Sequence, residues 1–114
     1  MPIPKEIRLS AEKVLDEYCQ SAVPEHAQDK LRLGYLSRGM AITFFEMRPH
    51  FRRPEKWISI NVARFRYNKT TQEWTLYCRD RNSKWHLYDE IEPSADFSVM
   101  LQEMLDDPTG IFWG

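Results

Sequence analysis

The spacing of apolar residues changes twice along the chain, and this change constrains the fold more than any other feature. Near both ends, apolar side chains recur every three or four positions, which is typical of amphipathic helices. Between residues 31 and 88 they recur at every second position, which is typical of strands. Two helices that flank a set of strands bury their apolar faces by packing on the sheet. The pattern therefore predicts an α+β fold.

Both helices have recognisable ends. Pro4 suits a first helical turn and Pro24 ends the pattern, so the first helix is predicted from Pro4 to about Gln20. The second helix is predicted to begin at Ser94, which serves as its N-cap, and to end at Asp107-Pro108.

The strands fall into two groups. The segment Ser37-Arg38-Gly39 supplies a turn between the first two strands. The second strand, at 40–48, is apolar on both parities, which predicts cover on both faces or a β-bulge. A proline-marked loop at 49–56 leads into three short, aromatic-rich strands that read as a meander. These strands are Trp57–Tyr67, Trp74–Arg79 and Lys84–Tyr88.

The length of the chain limits how these elements are arranged. A chain of 114 residues is enough for about one domain. We therefore expect a single domain over residues 1–114, with a five-stranded, mainly antiparallel sheet. The N-terminal and the C-terminal helix are expected to pack on one face of that sheet.

Alternation assigns the side chains of the last three strands to two faces. One set is apolar and is predicted to lie beneath the helices, so that Trp74 and Trp85 share a face. Its members are Ala63, Phe65, Tyr67, Trp74, Leu76, Cys78, Trp85 and Leu87. The other set combines cations with aromatic rings and consists of Arg64, Arg66, Thr75, Tyr77, Arg79, His86 and Tyr88.

Charge is divided unevenly along the chain. Residues 30–88 contain thirteen basic and four acidic side chains, a net charge of +9. The remaining residues contain three basic and thirteen acidic side chains, a net charge of −10, so the total of −1 conceals a polarised molecule. Such asymmetry concerns partners and association rates rather than the fold.

Two groups of residues are candidate binding sites for an anionic partner. On the sheet, cations that neutralise phosphates lie beside rings on which unpaired bases stack, as single-stranded nucleic acid requires. In the proline-bounded loop, Arg52 and Arg53 form a pre-ordered basic segment. The sheet residues are Arg64, Arg66, Tyr77, Arg79, His86 and Tyr88. The leading hypothesis is a non-enzymatic binding module, with single-stranded nucleic acid as its most concrete partner, although any solvated sheet face also places polar residues outward.

Two other classes of function stay open. Glu46, Arg48, His50 and His86 supply the acid–base and phosphate-gripping groups of a small hydrolase such as an RNA endonuclease, but the sequence does not fix their distances. An assembly protein would instead set the acidic ends of one copy against the basic middle of another. No residue is assigned a catalytic role on this basis.

The chain ends on large apolar side chains. Phe112 and Trp113 either dock on the chain's own core or serve as a homodimer contact, because a protein must bury such side chains or present them to a partner.

Several classes of protein are not indicated. Cys19 and Cys78 form no paired motif, and the histidines lack the close ligand spacing of a zinc site, so no metal or cofactor is predicted. No apolar run approaches the roughly 20 residues of a membrane span. The charged first residues do not resemble a secretory signal, and a cytoplasmic location with reduced thiols is expected.

Four strings in the chain are distinctive when taken together. They are Ala63-Arg64-Phe65-Arg66-Tyr67, Trp74-x-Leu76-Tyr77, Lys84-Trp85-His86-Leu87-Tyr88 and the ending Asp107-Pro108-x-Gly110-x-Phe112-x-Gly114. The chain, from about Arg48 onward, resembles a family of short bacterial proteins known only as a domain of unknown function. The resemblance implies a bacterial cytoplasmic protein. It transfers no catalytic residue, because no activity is established for the family.

Overall fold

A computed structural model describes residues 2–113, so Gly114, the last residue of the C-terminal string, lies outside the described residues. The strands pair in sequence order, each antiparallel to the next, and form one five-stranded meander. The elements are α1 Lys5–Ala22, a 3-10 helix Glu25–Ala27, β1 Arg32–Arg38, β2 Ala41–Pro49, β3 Trp57–Asn68, β4 Glu73–Arg79, β5 Trp85–Tyr88 and α2 Phe97–Asp106. The predicted α+β class is confirmed. Neither α1 nor α2 is long and apolar enough to cross a membrane.

Both helices contribute to the same core on one face of the sheet. Leu15 of α1 and Met100 of α2 are completely buried, together with Ile42, Phe65 and other strand residues of that face. Two side-chain hydrogen bonds also join α1 to β1: the Tyr35 hydroxyl donates to Asp16 Oδ1 at 2.7 Å, and the Ser37 hydroxyl donates to Glu12 Oε2 at 2.6 Å. The other face of the sheet carries no helix, and we call it the open face.

Cover on both faces or a β-bulge was predicted for the second strand; a β-bulge lies where β2 pairs with β3, but its extra residue is on β3. Phe44 pairs with Ala63, whereas the next residue, Phe45, pairs with Asn61, so Val62 is an extra residue on β3. Val62 and Ala63 are consecutive and both buried, because the bulge interrupts the alternation there. Asn61, Ser59 and Trp57 consequently lie on the open face, opposite Phe45, Met47 and Pro49 of β2.

The predicted faces are correct for β3 and β4 but wrong for β5. Cys78 pairs with His86 and Leu76 pairs with Tyr88, so His86 and Tyr88 are on the helix-covered side. Trp85 and Leu87 are on the open face, where Leu87 is 54% exposed. Trp74 and Trp85, which were predicted to share a face, therefore lie on opposite faces of the sheet.

Tyr88 explains this reversal physically. Its ring is only 5% exposed, and its hydroxyl donates to Glu103 Oε2 of α2 at 2.6 Å. A buried tyrosine whose hydroxyl has a partner adds apolar area to the core without leaving a polar group unsatisfied. Counting Tyr88 as polar, and Leu87 as necessarily buried, put the strand in the wrong phase.

The N-cap of helix α2 lies two residues after the predicted one, Ser94. Asp96 is the cap, and its carboxylate accepts the backbone N–H of Ser98 at 2.9 Å. Ser94 instead forms a backbone bridge with Trp74, with N···O distances of 2.7 and 3.2 Å. An aspartate two positions after a serine is an equally good cap, so the sequence did not separate the two.

The C-terminal segment docks on the chain's own core. Asp107 ends α2 in the left-handed conformation, and its carboxylate accepts the backbone N–H groups of Phe112 and Trp113. The Trp113 indole N–H donates to the Met104 carbonyl at 3.1 Å. Phe112, 9% exposed, packs on the Tyr88 ring with centroids 5.0 Å apart. A homodimer contact through Phe112 and Trp113 stays an untested prediction.

We expect Phe112→Ala to lower the free energy of unfolding by about 3 kcal/mol, because truncating a buried phenylalanine removes its packing and leaves a cavity. Thermal melts at several protein concentrations would measure the effect. A docked side chain predicts the same fall in melting temperature at every concentration. A fall that grows as the concentration rises would instead support the homodimer contact.

Candidate nucleic-acid interface

The open face is rich in arginines and aromatic rings. The strand register brings Leu36, Thr43, Arg64, Tyr77 and Leu87 into one row across all five strands. Neighbouring rows follow from alternation along each strand. The arginines of this face are Arg32, Arg38, Arg64, Arg66 and Arg79. The aromatic residues are Phe45, Trp57, Tyr77 and Trp85.

Arg64 occupies the middle of this face and is held in place from two sides. Its Nε–H donates to Thr43 Oγ1, the side chain opposite it on β2, at 3.2 Å. Its guanidinium lies over the Trp85 ring, 4.5 Å from the centroid. Burial, and then the positive charge of Arg66, lower the pKa of Arg64. A cation in this position would gain from a nearby anion.

A second arginine–tryptophan pair lies toward the end of the β2–β3 hairpin. The Arg32 guanidinium lies over the Trp57 ring, 4.1 Å from the centroid, and its Nε–H donates to the Gln28 carbonyl at 3.1 Å. Stacking on a ring holds a guanidinium flat and leaves its edges able to donate. The open face therefore has two such pre-oriented cations.

The five arginines of the open face have no carboxylate partner among residues 2–113. The ion pairs in that part of the chain join Arg8 to Glu12, Arg48 to Glu46, and His86 to Asp80. Acidic side chains gather instead on the opposite side of the sheet, and they include Glu6, Glu12, Asp16, Glu17, Glu103 and Asp106 of the two helices. The charge asymmetry along the sequence thus becomes an asymmetry between the two sides of the molecule.

The structure brings four of the predicted binding residues together and separates the others. Arg64, Arg66, Tyr77 and Arg79 lie on adjacent strands of the open face. His86 and Tyr88 do not join them, because the register of β5 places both on the helix-covered side. His86 Nε2 lies 2.6 Å from Asp80 Oδ2 at the turn before β5.

Arg52 and Arg53 are exposed in the loop between β2 and β3, away from the central row. The backbone N–H of Arg52 donates to His50 Nδ1 at 3.1 Å, and its guanidinium lies 5.3 Å from the Phe51 centroid. The Arg53 carbonyl accepts the N–H of Lys56 at 2.9 Å. The loop is therefore ordered by its own contacts, as the flanking prolines predicted, and it extends the basic surface beyond Trp57.

Sequence reasoning missed several residues of the open face. Arg32 and Arg38 were not assigned to it, although the alternation of β1 places both on the same side as Leu36. Phe45 was also missed, although it follows from the alternation of β2, whereas Trp57 joins the face because the bulge shifts the phase of β3, and no sequence signal locates that shift. Gly34 is a usable signal, since a Cβ there would lie 3.0 Å from the Phe45 ring.

Within residues 2–113, three concavities open on this face: one of about 430 Å³ is lined by Arg66, Thr75, Tyr77 and Leu87 among others, and two more are bordered by Arg64. One of these two, of about 400 Å³, lies between β1 and β3 and is lined by Leu36, Thr43, Phe45 and Arg64 among others. The other, of about 350 Å³, lies beside the β1–β2 turn and includes Arg64, Arg66, Tyr77 and Trp85. A ligand in either of these two would meet the Arg64 side chain.

The residues proposed for a hydrolase do not converge. Glu46 is on β2 and His86 is on β5, with β3 and β4 between them, so about 14 Å of sheet separates the two strands. Glu46 pairs with Arg48 at 3.3 Å, and His50 accepts a loop N–H. These four side chains therefore do not form one acid–base site.

The thiols and the acidic side chains show no metal-binding geometry. Burial raises the pKa of Cys19 to about 11, with Asp16 adding to the effect, and burial also raises the pKa of Cys78. Both thiols stay protonated near neutral pH. Within residues 2–113, no three histidine, cysteine, aspartate or glutamate side chains lie close enough to hold a metal ion.

The buried tyrosine of β5 gives an alkaline pH dependence. Burial, and then the hydrogen bond to Glu103, raise the pKa of Tyr88 to about 12, whereas an unfolded tyrosine ionises near pH 10. The native state therefore holds this proton more tightly, so the stabilisation is complete below pH 10 and is lost as the pH rises from 10 to 12. Tyr88→Phe should make the fall in unfolding free energy over this range shallower, as measured by urea unfolding.

Tyr77→Phe is the matched control for this experiment, because Tyr77 lies on the open face. It should retain the steeper fall of the wild type. Equal pH slopes for Tyr88→Phe and the wild type would contradict the assignment. Burial and the hydrogen bond to Asp16 also raise the pKa of Tyr35. Part of the alkaline pH dependence of stability therefore remains in every variant.

Comparison with known proteins identifies the family but assigns no activity. The model of a domain of unknown function, DUF3024, matches residues 3–114. No curated protein and no solved structure shows a significant match. The match covers α1 as well as the sheet and α2, which extends the resemblance seen from about Arg48 onward to nearly the whole sequence. The chain belongs to the DUF3024 family.

Proposed function

We propose that the protein is a binding module whose open face engages single-stranded nucleic acid. The observation that carries the proposal is the set of five arginines, unpaired with carboxylates within residues 2–113, among four aromatic rings on a single sheet face. Here the acidic side chains lie behind the sheet, and the cations remain available to an external anion.

The dimensions of the face suit a strand of several nucleotides. Five strands at a spacing of about 4.8 Å span about 19 Å across the sheet. Unpaired bases need exposed rings for stacking, and a backbone needs cations along its path. Tyr77 and Trp85 supply rings on β4 and β5, while Arg64 and Arg66 supply cations on β3, immediately beside them.

The arrangement favours single strands over a duplex. A sheet of this kind offers flat rings rather than an element that enters a groove, and rings contribute binding energy only when bases are free to stack on them. The two fixed guanidinium–tryptophan pairs would contact phosphates without further loss of side-chain entropy.

The salt dependence of binding tests the proposal. If about four phosphates contact the face, the logarithm of affinity should fall with the logarithm of salt concentration at a slope near −3, at roughly −0.7 per phosphate. Arg66→Ala should make that slope shallower by about 0.7. Tyr77→Ala should instead cost about 1 to 3 kcal/mol of binding and leave the slope nearly unchanged. Fluorescence anisotropy with labelled oligonucleotides at several salt concentrations measures both effects.

Lys13→Ala provides the control, because Lys13 is exposed on α1, on the side that faces away from the open face. It should alter neither the affinity nor the slope by much. Absence of binding to any oligonucleotide at low salt would reject the proposal. In that event, the acidic helices of one copy would be the anionic partner to test next, by measuring oligomeric state against salt concentration.

A further inference from the structure

The concavity beside the β1–β2 turn has the size and the side chains of a small-ligand site. Its volume of about 350 Å³ falls within the range of roughly 300 to 1,000 Å³ that such sites occupy. One wall consists of Arg64 and Arg66, another of Tyr77 and Trp85, and the turn closes the remaining side. Two cations and two aromatic rings thus surround one space.

Arg64 is prepared to bind an anion there. Of its five N–H donors, the Nε–H is taken by Thr43, and no acceptor among residues 2–113 meets its two terminal nitrogens. The guanidinium also lies over the Trp85 ring, with its Cζ 4.5 Å from the ring centroid. A guanidinium that is fixed in this way presents its remaining N–H groups as a fork, which matches two oxygens of a phosphate.

Arg66 makes the binding of a single anion at this place more favourable still. It lies two residues along the same strand, so the two side chains emerge about 6.6 Å apart on the same face. Each cation raises the energy of the other, and burial, followed by the positive charge of Arg66, lowers the pKa of Arg64. An oxyanion between them removes that repulsion and gains two charge-assisted sets of hydrogen bonds.

The turn supplies the room for a ligand. Ala41 is the cross-strand partner of Arg66, and its methyl group leaves the floor of the concavity open. Gly39, two residues before Ala41, has a φ of +58°. A methyl group added at Gly39 would have no neighbouring atom within 4 Å. The space above these two residues is bordered by the Tyr77 ring, which is opposite Arg64 on β4.

We propose that this concavity holds one nucleoside phosphate, with the phosphate on Arg64 and Arg66 and the base against Tyr77. The inference rests on the proposed function, since it assigns one nucleotide of a bound strand to one place on the open face. A free mononucleotide offers the same chemistry as a nucleotide within a strand. The experiment therefore presents both.

Competition binding separates these sources. A labelled oligouridylate of about 12 nucleotides, within the site sizes of single-strand binders, is displaced by uridine 5′-monophosphate or by inorganic phosphate. We expect the mononucleotide to compete, and inorganic phosphate to compete more weakly because it has no base to stack. Arg64→Lys keeps the charge but removes the fork, and should weaken mononucleotide binding by about tenfold. Ala41→Ile keeps every charge but fills the floor, and should weaken it by a similar factor.

Three outcomes decide the matter. Mononucleotide affinity that falls in both variants, but not in Lys13→Ala, supports the site. If the oligonucleotide binds, is not displaced by the mononucleotide and binds equally well to Ala41→Ile, the site is overturned while the proposed function stands. If direct titration with labelled uridine 5′-monophosphate shows binding that weakens in both variants, while no oligonucleotide binds, the site is supported and the proposed function is overturned. Thermal melts establish whether each variant is folded. If Ala41→Ile does not fold, the mononucleotide affinity of Arg64→Lys alone decides whether the site is supported.

Discussion

Trp74→Ala is expected to lower the free energy of unfolding by about 3 to 5 kcal/mol, the range for truncating a large aromatic side chain in a core. Trp74 is 1% exposed and packs between Tyr67 and Phe97, with ring centroids 5.1 and 5.0 Å away. It therefore joins β3, β4 and α2. A domain of this size has about 5 to 15 kcal/mol of stability in total, so the variant should lose a large share of it.

Trp85→Ala is the matched control, since it removes the same side chain from the opposite face of the sheet. Trp85 is only partly buried, and its principal contact is the Arg64 guanidinium at 4.5 Å. Its truncation should cost about 1 kcal/mol or less, in the range of an exposed cation–π contact. Urea unfolding of both variants measures the two costs. Similar costs for the two tryptophans would contradict the placement of Trp85 on the open face.

The two tryptophans also show how far alternation predicts a sheet. On β3 and β4, the alternating side chains have clear differences in polarity, as with Phe65 beside Arg64 and Arg66, and the predicted faces are correct. On β5 each position is apolar or amphipathic, so hydrophobicity alone does not set the phase. The register is decided by Tyr88, whose hydroxyl reaches Glu103, a residue fifteen positions away on α2. That contact belongs to the tertiary structure and leaves no mark in the strand's own pattern.

The candidate site was partly predictable for a similar reason. The cations of β3 and β4 follow from local alternation, whereas the contribution of β1 depends on the meander order and on the turn at Gly39. The bulge at Val62 changes which residues of β3 face outward, so the position of Trp57 follows from strand pairing and not from its own pattern. Charge was more informative than pattern, because the basic middle of the sequence is the sheet and most of the acidic flanks are its helical cover.

The open face carries its charge close to where a strand of nucleic acid would lie, so reversing that charge should have a large effect on binding. Arg64→Glu combined with Arg66→Glu removes two phosphate contacts, each worth about 1.5 to 3 kcal/mol as a hydrogen bond to a charged group. The loss of roughly 3 to 6 kcal/mol corresponds to about 10² to 10⁴ in affinity. The salt slope should also become shallower by about 1.4, at 0.7 for each phosphate lost.

Arg66→Glu compared with Lys13→Glu separates local contact from overall charge. Lys13 is exposed on α1, and either single variant replaces one positive charge with a negative one, which changes the net charge from −1 to −3. A partner attracted only by net charge would lose affinity equally in the two variants, and that loss would vanish at high salt. A partner held on the open face should lose affinity mainly in Arg66→Glu, because Lys13 lies behind the sheet. Equal losses in oligonucleotide titrations would reject the open face as the binding surface, and a shift in oligomeric state would point to assembly between copies.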